Sequence, residues 1–174
     1  MTRTMIYAVL VFNLSGKPRL SQFFRSTLTA AEEFNVLQRV YTAVSRRSAA
    51  DCNILRLPSL FSNAPALQDA RIVYRLYATL YFVMLVSSTE NELAILDLIQ
   101  VFVESLDRIF ENVCELDLVF HFEDVHAVLA EMVCGGVVVE TRMDAIVKQA
   151  KEIMAASAKQ SLQKSSLQTW MDSF

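Results

Sequence analysis

Apolar and polar positions change period several times along the chain, and each change predicts an element. Met5–Asn13 is rich in β-branched and aromatic residues, Ser15-Gly16-Lys17-Pro18 supplies turn residues, and Arg19–Phe24 resumes an extended pattern. Together they predict a β-hairpin. Thr29-Ala30-Ala31-Glu32 has capping-box spacing, in which the threonine oxygen takes a free backbone N–H and the glutamate reaches back. Phe34, Leu37, Val40, Tyr41 and Val44 follow at helical spacing, so a helix is expected over about 29–46. Cys52–Leu57 reads as a strand, and Pro58–Asp69, punctuated by Pro58, Asn63 and Pro65, as an exposed loop. Arg71–Leu76 and Thr79–Val86 predict two more strands, the second almost wholly apolar and therefore central.

A long helix opens at Ser87–Thr89, with Thr89-x-x-Glu92 as a second capping-box pattern. Asp97, Gln100, Glu104, Asp107, Arg108 and Glu111 fall on a narrow polar ridge of this helix. Leu96, Leu98, Ile99, Phe102, Val103, Leu106, Ile109 and Phe110 fill an arc of roughly 160°, where a surface helix needs only about 100°. One sheet cannot cover that arc, so a further helix of the chain or another protein must cover the rest. Glu115–Val133 looks helical with a break near Phe122, Gly135–Gly136 supplies a stop, and Val137–Glu140 is extended. Thr141–Ala156 predicts a final amphipathic helix. The order ββαβββα plus C-terminal helices predicts an α+β fold, a five-stranded antiparallel sheet with helices on its faces. One domain over 1–157 is expected, followed by a mobile Ser/Gln/Lys-rich tail over 158–174.

Composition narrows the chemistry. A chain of 174 residues, 53% hydrophobic, is long enough to bury its own core without metals or disulfides. Its glycines are Gly16, Gly135 and Gly136, so the phosphate-cradling patterns GxGxxG and GxxxxGK[ST] are both excluded. The net charge of −3 argues against a nucleic-acid partner. The two halves differ sharply, however. The first 87 residues carry ten Lys/Arg against four Asp/Glu, and the remainder six against fifteen. A basic front half suits an acidic ligand and an acidic back half a basic partner, although solvated surface charge explains most of these residues. Cys52, Cys114 and Cys134 form no CxxC pair and read as free thiols in a reducing compartment. Met5–Phe12 imitates a signal-peptide core, but the turn that follows is no convincing cleavage site. No apolar run approaches the ~18 residues of a membrane span.

Catalytic chemistry finds little support. His121 and His126 lie five apart, which on a helix separates them by about 140°, so they do not share a metal as an i,i+4 pair would. HFEDVH is not HExxH, and capping or surface roles explain both histidines. No GxSxG surrounds a serine. Cys114 and Cys134 lie on apolar stretches and read as core thiols. No cofactor, metal or catalytic residue is expected.

Three segments carry a family resemblance: Asn13-Leu14-Ser15-Gly16-Lys17-Pro18-Arg19-Leu20, Ile72–Phe82 (IVYRLYATLYF) and Phe110–Phe120 (FENVCELDLVF). Together they resemble the small (sigma) subunits of the clathrin-adaptor complexes, in the same order over about residues 5–153. GKPRL, with ILDLIQVFVESLD at 95–107 and HAVLAEMVCGG at 126–136, is most similar to the branch found in adaptor protein complex 3. The resemblance implies a longin-like fold, in agreement with the element order. It also implies a heterotetramer with two large subunits and one medium subunit, and peripheral, indirect association with Golgi, endosomal and coated-vesicle membranes. The implied role is intracellular transport from endosomes to lysosomes or vacuoles, helping to bind acidic dileucine signals [DE]xxxL[LI] on cytosolic tails of membrane cargo. Met1–Thr4, the loop at 57–69 and the tail fall outside the family pattern.

Carried over by position, Arg19 meets the acidic residue of the signal, and its permanently charged fork suits a carboxylate. Ala78, Leu80, Val103, Val113, Leu116 and Leu118 line or adjoin the leucine pockets, and Asn112 bonds the peptide backbone. Ala78 and Leu80 share one strand face if the strand reaches back to Ala78. Each has a plainer explanation: an arginine pairing within its own complex, apolar residues that are simply core, an asparagine that only caps a helix. Three other readings remain open. They are an architectural subunit whose apolar surplus serves partner burial, a related chain such as a coatomer zeta subunit, and, least supported, an enzyme using Cys114 or His126.

Overall fold

The computed structural model describes residues 5–24, 28–56, 61 and 64–171. Strands β1 (Ile6–Asn13), β2 (Pro18–Phe23), β3 (Ile54–Leu55), β4 (Arg71–Tyr77) and β5 (Leu80–Val86) form one antiparallel sheet in the order β2-β1-β5-β4-β3. The helices are α1 (Ala30–Ser45), α2 (Glu92–Phe110), α3 (Glu115–Phe120), α4 (Phe122–Met132) and α5 (Met143–Met171). A small hairpin, β6 (Val133–Cys134) with β7 (Val137–Val138), separates α4 from α5. The expected α+β architecture and the ββαβββα order are both present.

The near-continuous apolar run of β1 makes sense at the sheet centre, where both faces are covered. Ile6, Val9 and Val11 join one core cluster, and Tyr7, Ala8, Leu10 and Phe12 the other. Val36, Val40 and Val44 of α1 close the second face. The wide apolar arc of α2 closes the first face, and its surplus is covered from within the chain. Val125, Val128, Leu129 and Met132 of α4 and Ile146 and Ala150 of α5 share its cluster. The helix that the arc demanded was therefore one of its own.

Several local expectations are corrected. Phe34 is exposed, because it sits about 200° from Val36 around α1 and so off the sheet-facing stripe. Strand β3 is only two residues long, and of its expected span Leu57 lies outside the described residues, as do 58–60 and 62–63. The part of the expected exposed loop that is described is only partly exposed, with Pro65, Gln68 and Asp69 outward. Phe61, Ala64, Leu67 and Ala70 are buried in the α1-side core, with a short 3-10 turn at Pro65–Leu67. Their three-residue spacing is the burial signal that Pro58, Asn63 and Pro65 hid.

At the start of α2 the cap is Asn91, whose side chain accepts from the Leu93 and Ala94 amides, and not Thr89. Glu92 is engaged elsewhere, accepting from Arg71 at 2.7 Å and Arg56 at 3.0 Å. The break near Phe122 falls at His121, between α3 and α4. Gly135 and Gly136 turn the β6–β7 hairpin, both at positive φ. A Cβ on Gly136 would lie 2.5 Å from the Ile6 carbonyl oxygen. Helix α5 begins near the expected place but continues to Met171, through most of the tail expected to be mobile. Neither Gly nor Pro occurs after residue 136 to stop it.

Candidate functional site

The site is assembled from the β1–β2 turn upward. Asn13 ends β1, and its Oδ1 accepts from the Ser15 amide at 3.0 Å and the Lys17 amide at 2.8 Å. Gly16 sits at φ +79°, and a Cβ there would lie 2.5 Å from the Tyr41 ring. The Tyr41 hydroxyl donates to the Leu14 carbonyl at 2.6 Å, pinning the turn to α1. Gly16 is thus required by a turn and a close approach rather than by a phosphate. Pro18 then opens β2 and sets Arg19 at the end of the sheet.

Arg19 is not free to meet a ligand in this conformation. Its Nε and Nη2 both donate to Glu115 Oε1 at 2.7 Å. The Asn13 Nδ2 donates to the same oxygen at 2.9 Å. These bonds, Arg19 first and Asn13 second, hold the Glu115 carboxyl below the usual carboxylate range. The Arg19 and Glu115 side chains are 24% and 29% exposed, so the pair lies at the surface rim. The plainer explanation of Arg19, pairing within its own complex, is what the isolated chain shows.

Behind that rim lie most of the expected leucine-pocket residues. Leu80 stands opposite Asn13 in the β1–β5 register. Leu80, Val103 and Leu118 belong to one core cluster, with Val113 packed against it. Their exposures are 4%, 9% and 1% for Leu80, Val103 and Leu118, so they offer a ligand little surface in this conformation.

Three members stand apart. Ala78 is exposed at φ +50° in the two-residue turn between β4 and β5, so it does not share a strand face with Leu80. Asn112 is exposed at φ +80°, just after Glu111, the left-handed C-cap of α2 at φ +53°. Asp107 Oδ1, not Asn112, accepts the Val113 amide, at 3.0 Å. Leu116 is 62% exposed.

Sequence reasoning missed Asn13 and Glu115. Both stand inside the quoted family segments, but nothing local joins residue 13 or 19 to residue 115. The thiols of Cys114 and Cys134 are exposed and free, not core. Cys114 sits where the chain turns into α3, and Cys134 alternates outward beside buried Val133. His121 lies 3.7 Å from Asp124 and stacks near Phe110, while His126 meets the edge of Phe122.

Comparison with known proteins bears on the family and the fold. The family model described as clathrin adaptor complex small chain matches residues 5–157. The AP-3 complex subunit sigma of Schizosaccharomyces pombe is 52% identical over 150 residues, covering 86% of this chain and 87% of that protein. The AP-3 complex subunit sigma-2 of Homo sapiens is 50% identical over 145 residues, 83% of this chain and 72% of that protein. Among structures, a chain in a homology model of the full-length AP-3 complex in a stretched open conformation superposes with a TM-score of 0.71. It is 41% identical, and the match covers 91% of this chain and 99% of that one. The chain belongs to the family of clathrin adaptor complex small chains, in its AP-3 sigma branch.

Proposed function

We propose that the chain, assembled with two large subunits and one medium subunit, helps bind acidic dileucine signals [DE]xxxL[LI] on cytosolic tails of membrane cargo. The work of the complex would be transport from endosomes to lysosomes or vacuoles. The observation that carries this reading is the placement of Arg19, a permanently charged group, at the rim of the cluster formed by Leu80, Val103, Val113 and Leu118. A cation beside an apolar recess is what a carboxylate followed by two leucines requires. Burying two leucines contributes about 3–6 kcal/mol and a charge-assisted hydrogen bond about 1.5–3 kcal/mol. Ordering an extended peptide offsets much of that, so affinity is micromolar or weaker. Capture then depends on several weak contacts made at one membrane surface.

The short helix α3 supplies the movable wall. It contributes Leu118 to the cluster and leaves Leu116, Val119 and Phe120 facing outward, and Phe122 follows at the start of α4. No Lys or Arg occurs from 109 to 141, while seven Asp/Glu do. An acidic apolar face of this kind suits a basic, apolar surface on a neighbouring subunit, which would hold α3 in position. The described residues contain no helix long and apolar enough to cross a membrane. Membrane association, on Golgi, endosomal and coated-vesicle surfaces, would be peripheral and indirect. The exposed Cys114 and the ring-packed His126 need no reaction to explain them, since an adaptor small chain is not an enzyme.

The near-complete burial of Leu80, Val103 and Leu118 favours a second reading, a purely architectural subunit whose recess stays shut. Fluorescence anisotropy with the assembled complex and a labelled acidic dileucine peptide separates the two. Saturable binding, abolished by Leu80→Ser or Val103→Asp in complexes that still assemble, supports the first. Arg19→Ser should weaken an acidic peptide more than one with the acid replaced by glutamine. Absence of saturable binding leaves the architectural role.

A further inference from the structure

We propose that Glu115 is an internal competitor for the acidic residue of the signal, and that exchanging it for the incoming carboxylate is the step that frees α3. The inference rests on the signal-binding reading above and names how that site is kept closed. Glu115 presents Oε1 to both Arg19 donors at 2.7 Å, the geometry an arriving carboxylate needs. Glu115 occupies the Nε–Nη2 edge of the guanidinium, so an acid arriving at that edge competes with it for one cation.

Glu115 is also the first residue of α3, the helix that carries Leu118 into the cluster and Leu116 to its outside. Breaking the Glu115–Arg19 contact therefore acts on the wall of the recess as well as on its charge. Asn13 strengthens the closed arrangement from the other side. Its Oδ1 fastens the β1–β2 turn while its Nδ2 holds Glu115 at 2.9 Å. The carboxylate is thus tied to a turn held by Asn13 and Tyr41, whereas the chain on its other side enters through Glu111 and Asn112, two non-glycine residues at positive φ. A ligand that takes Arg19 from Glu115 releases the less restrained of the two partners. A neutral signal has no means of doing so, which makes Glu115 a specificity determinant that discriminates in favour of acidic signals.

The test uses the assembled complex, wild type and Glu115→Gln, and two labelled peptides that differ only in Glu versus Gln at the acidic position. Glu115→Gln keeps the side-chain shape and one accepting oxygen but removes the competing charge. The expected result is tighter binding of the acidic peptide, on the order of fivefold, the scale of a partly exposed charge pair. The neutral peptide should change much less, so the acid-to-neutral affinity ratio rises. Glu115→Ala, which removes the competing carboxylate altogether and leaves Asn13 and its turn intact, should move the ratio the same way, and it serves if the glutamine variant fails to assemble. A ratio that is unchanged or falls, with both peptides still binding, overturns the competitor role and leaves Glu115 as a structural anchor. If neither peptide binds wild-type or variant complexes, the signal-binding reading fails first and takes the competitor role with it.

Discussion

Helices α1 and α3 lie on opposite faces of the same sheet and are held by different forces. Helix α1 has sixteen residues, a full capping box at Thr29 and Glu32, and three buried valines in one stripe. It is also tied to the β1–β2 turn by Tyr41. Helix α3 has six residues, buries Leu118 alone, and is held at its start by Asp117, which accepts from the Cys114 amide, and by the Glu115 charge pair at the surface. Apolar burial at α1 is non-directional and hard to exchange. A carboxylate–guanidinium contact at α3 can be replaced by any equivalent carboxylate. The fixed face thus serves as scaffold, and the exchangeable face is where a ligand or neighbouring subunit can act.

Substitutions sharpen that contrast in a graded series. Val40→Asp places a charge at a fully buried position under α1 and should cost about 3 kcal/mol or more, seen as loss of soluble, cooperatively folded chain. Leu118→Ala should cost about 2–3 kcal/mol in denaturant unfolding, near the lower end for such truncations, because a six-residue helix can settle into the space. A cost of about 5 kcal/mol, the upper end for such truncations, would mean that α3 cannot settle into the space and would break the comparison. Thr29→Ala removes the α1 cap and should lower stability by about 1 kcal/mol in the same assay. Phe120→Ser, at a side chain 74% exposed, should leave unfolding unchanged within about 0.5 kcal/mol. Its effect should appear instead as reduced co-purification with the partner subunits.

Acidity probes the same difference. Glu115 titrates below its unfolded value, so its contribution is present above the ordinary carboxylate range and is lost as pH falls through the lower folded value. Protection factors at 115–120, which remove the pH dependence of intrinsic exchange, should fall over that range. Those at 36–44 should hold, because the buried valine stripe and not the Glu32 cap, whose carboxyl also titrates low, secures that stretch. Equal loss of protection in both segments would mean that acid loosens the whole domain and not the α3 latch.

Two identical patterns show how far the sequence could be read. Thr29-x-x-Glu32 is a real capping box, while Thr89-x-x-Glu92 is not, because Asn91 lies closer to the first turn and Glu92 is drawn to Arg56 and Arg71. The local spacing is the same, and only tertiary partners separate the cases. Periodicity likewise found β1, α1, β5 and α2, whose apolar faces are long. It misread Phe61, Ala64 and Leu67, whose spacing the turn-forming residues around them masked.

The site divides along the same line. The resemblance placed Leu80, Val103, Val113 and Leu118, and the fold gathers them. Ala78 fell in a turn that the apolar run around it obscured. The partner of Arg19 was illegible because it lies 96 residues away.

The most direct test of a fixed α1 face and an exchangeable α3 face is hydrogen exchange in the assembled complex with and without a saturating acidic dileucine peptide. The account predicts altered exchange at 113–120 and none at 36–44. No change at 113–120 under saturating peptide, or an equal change in both segments, would contradict it.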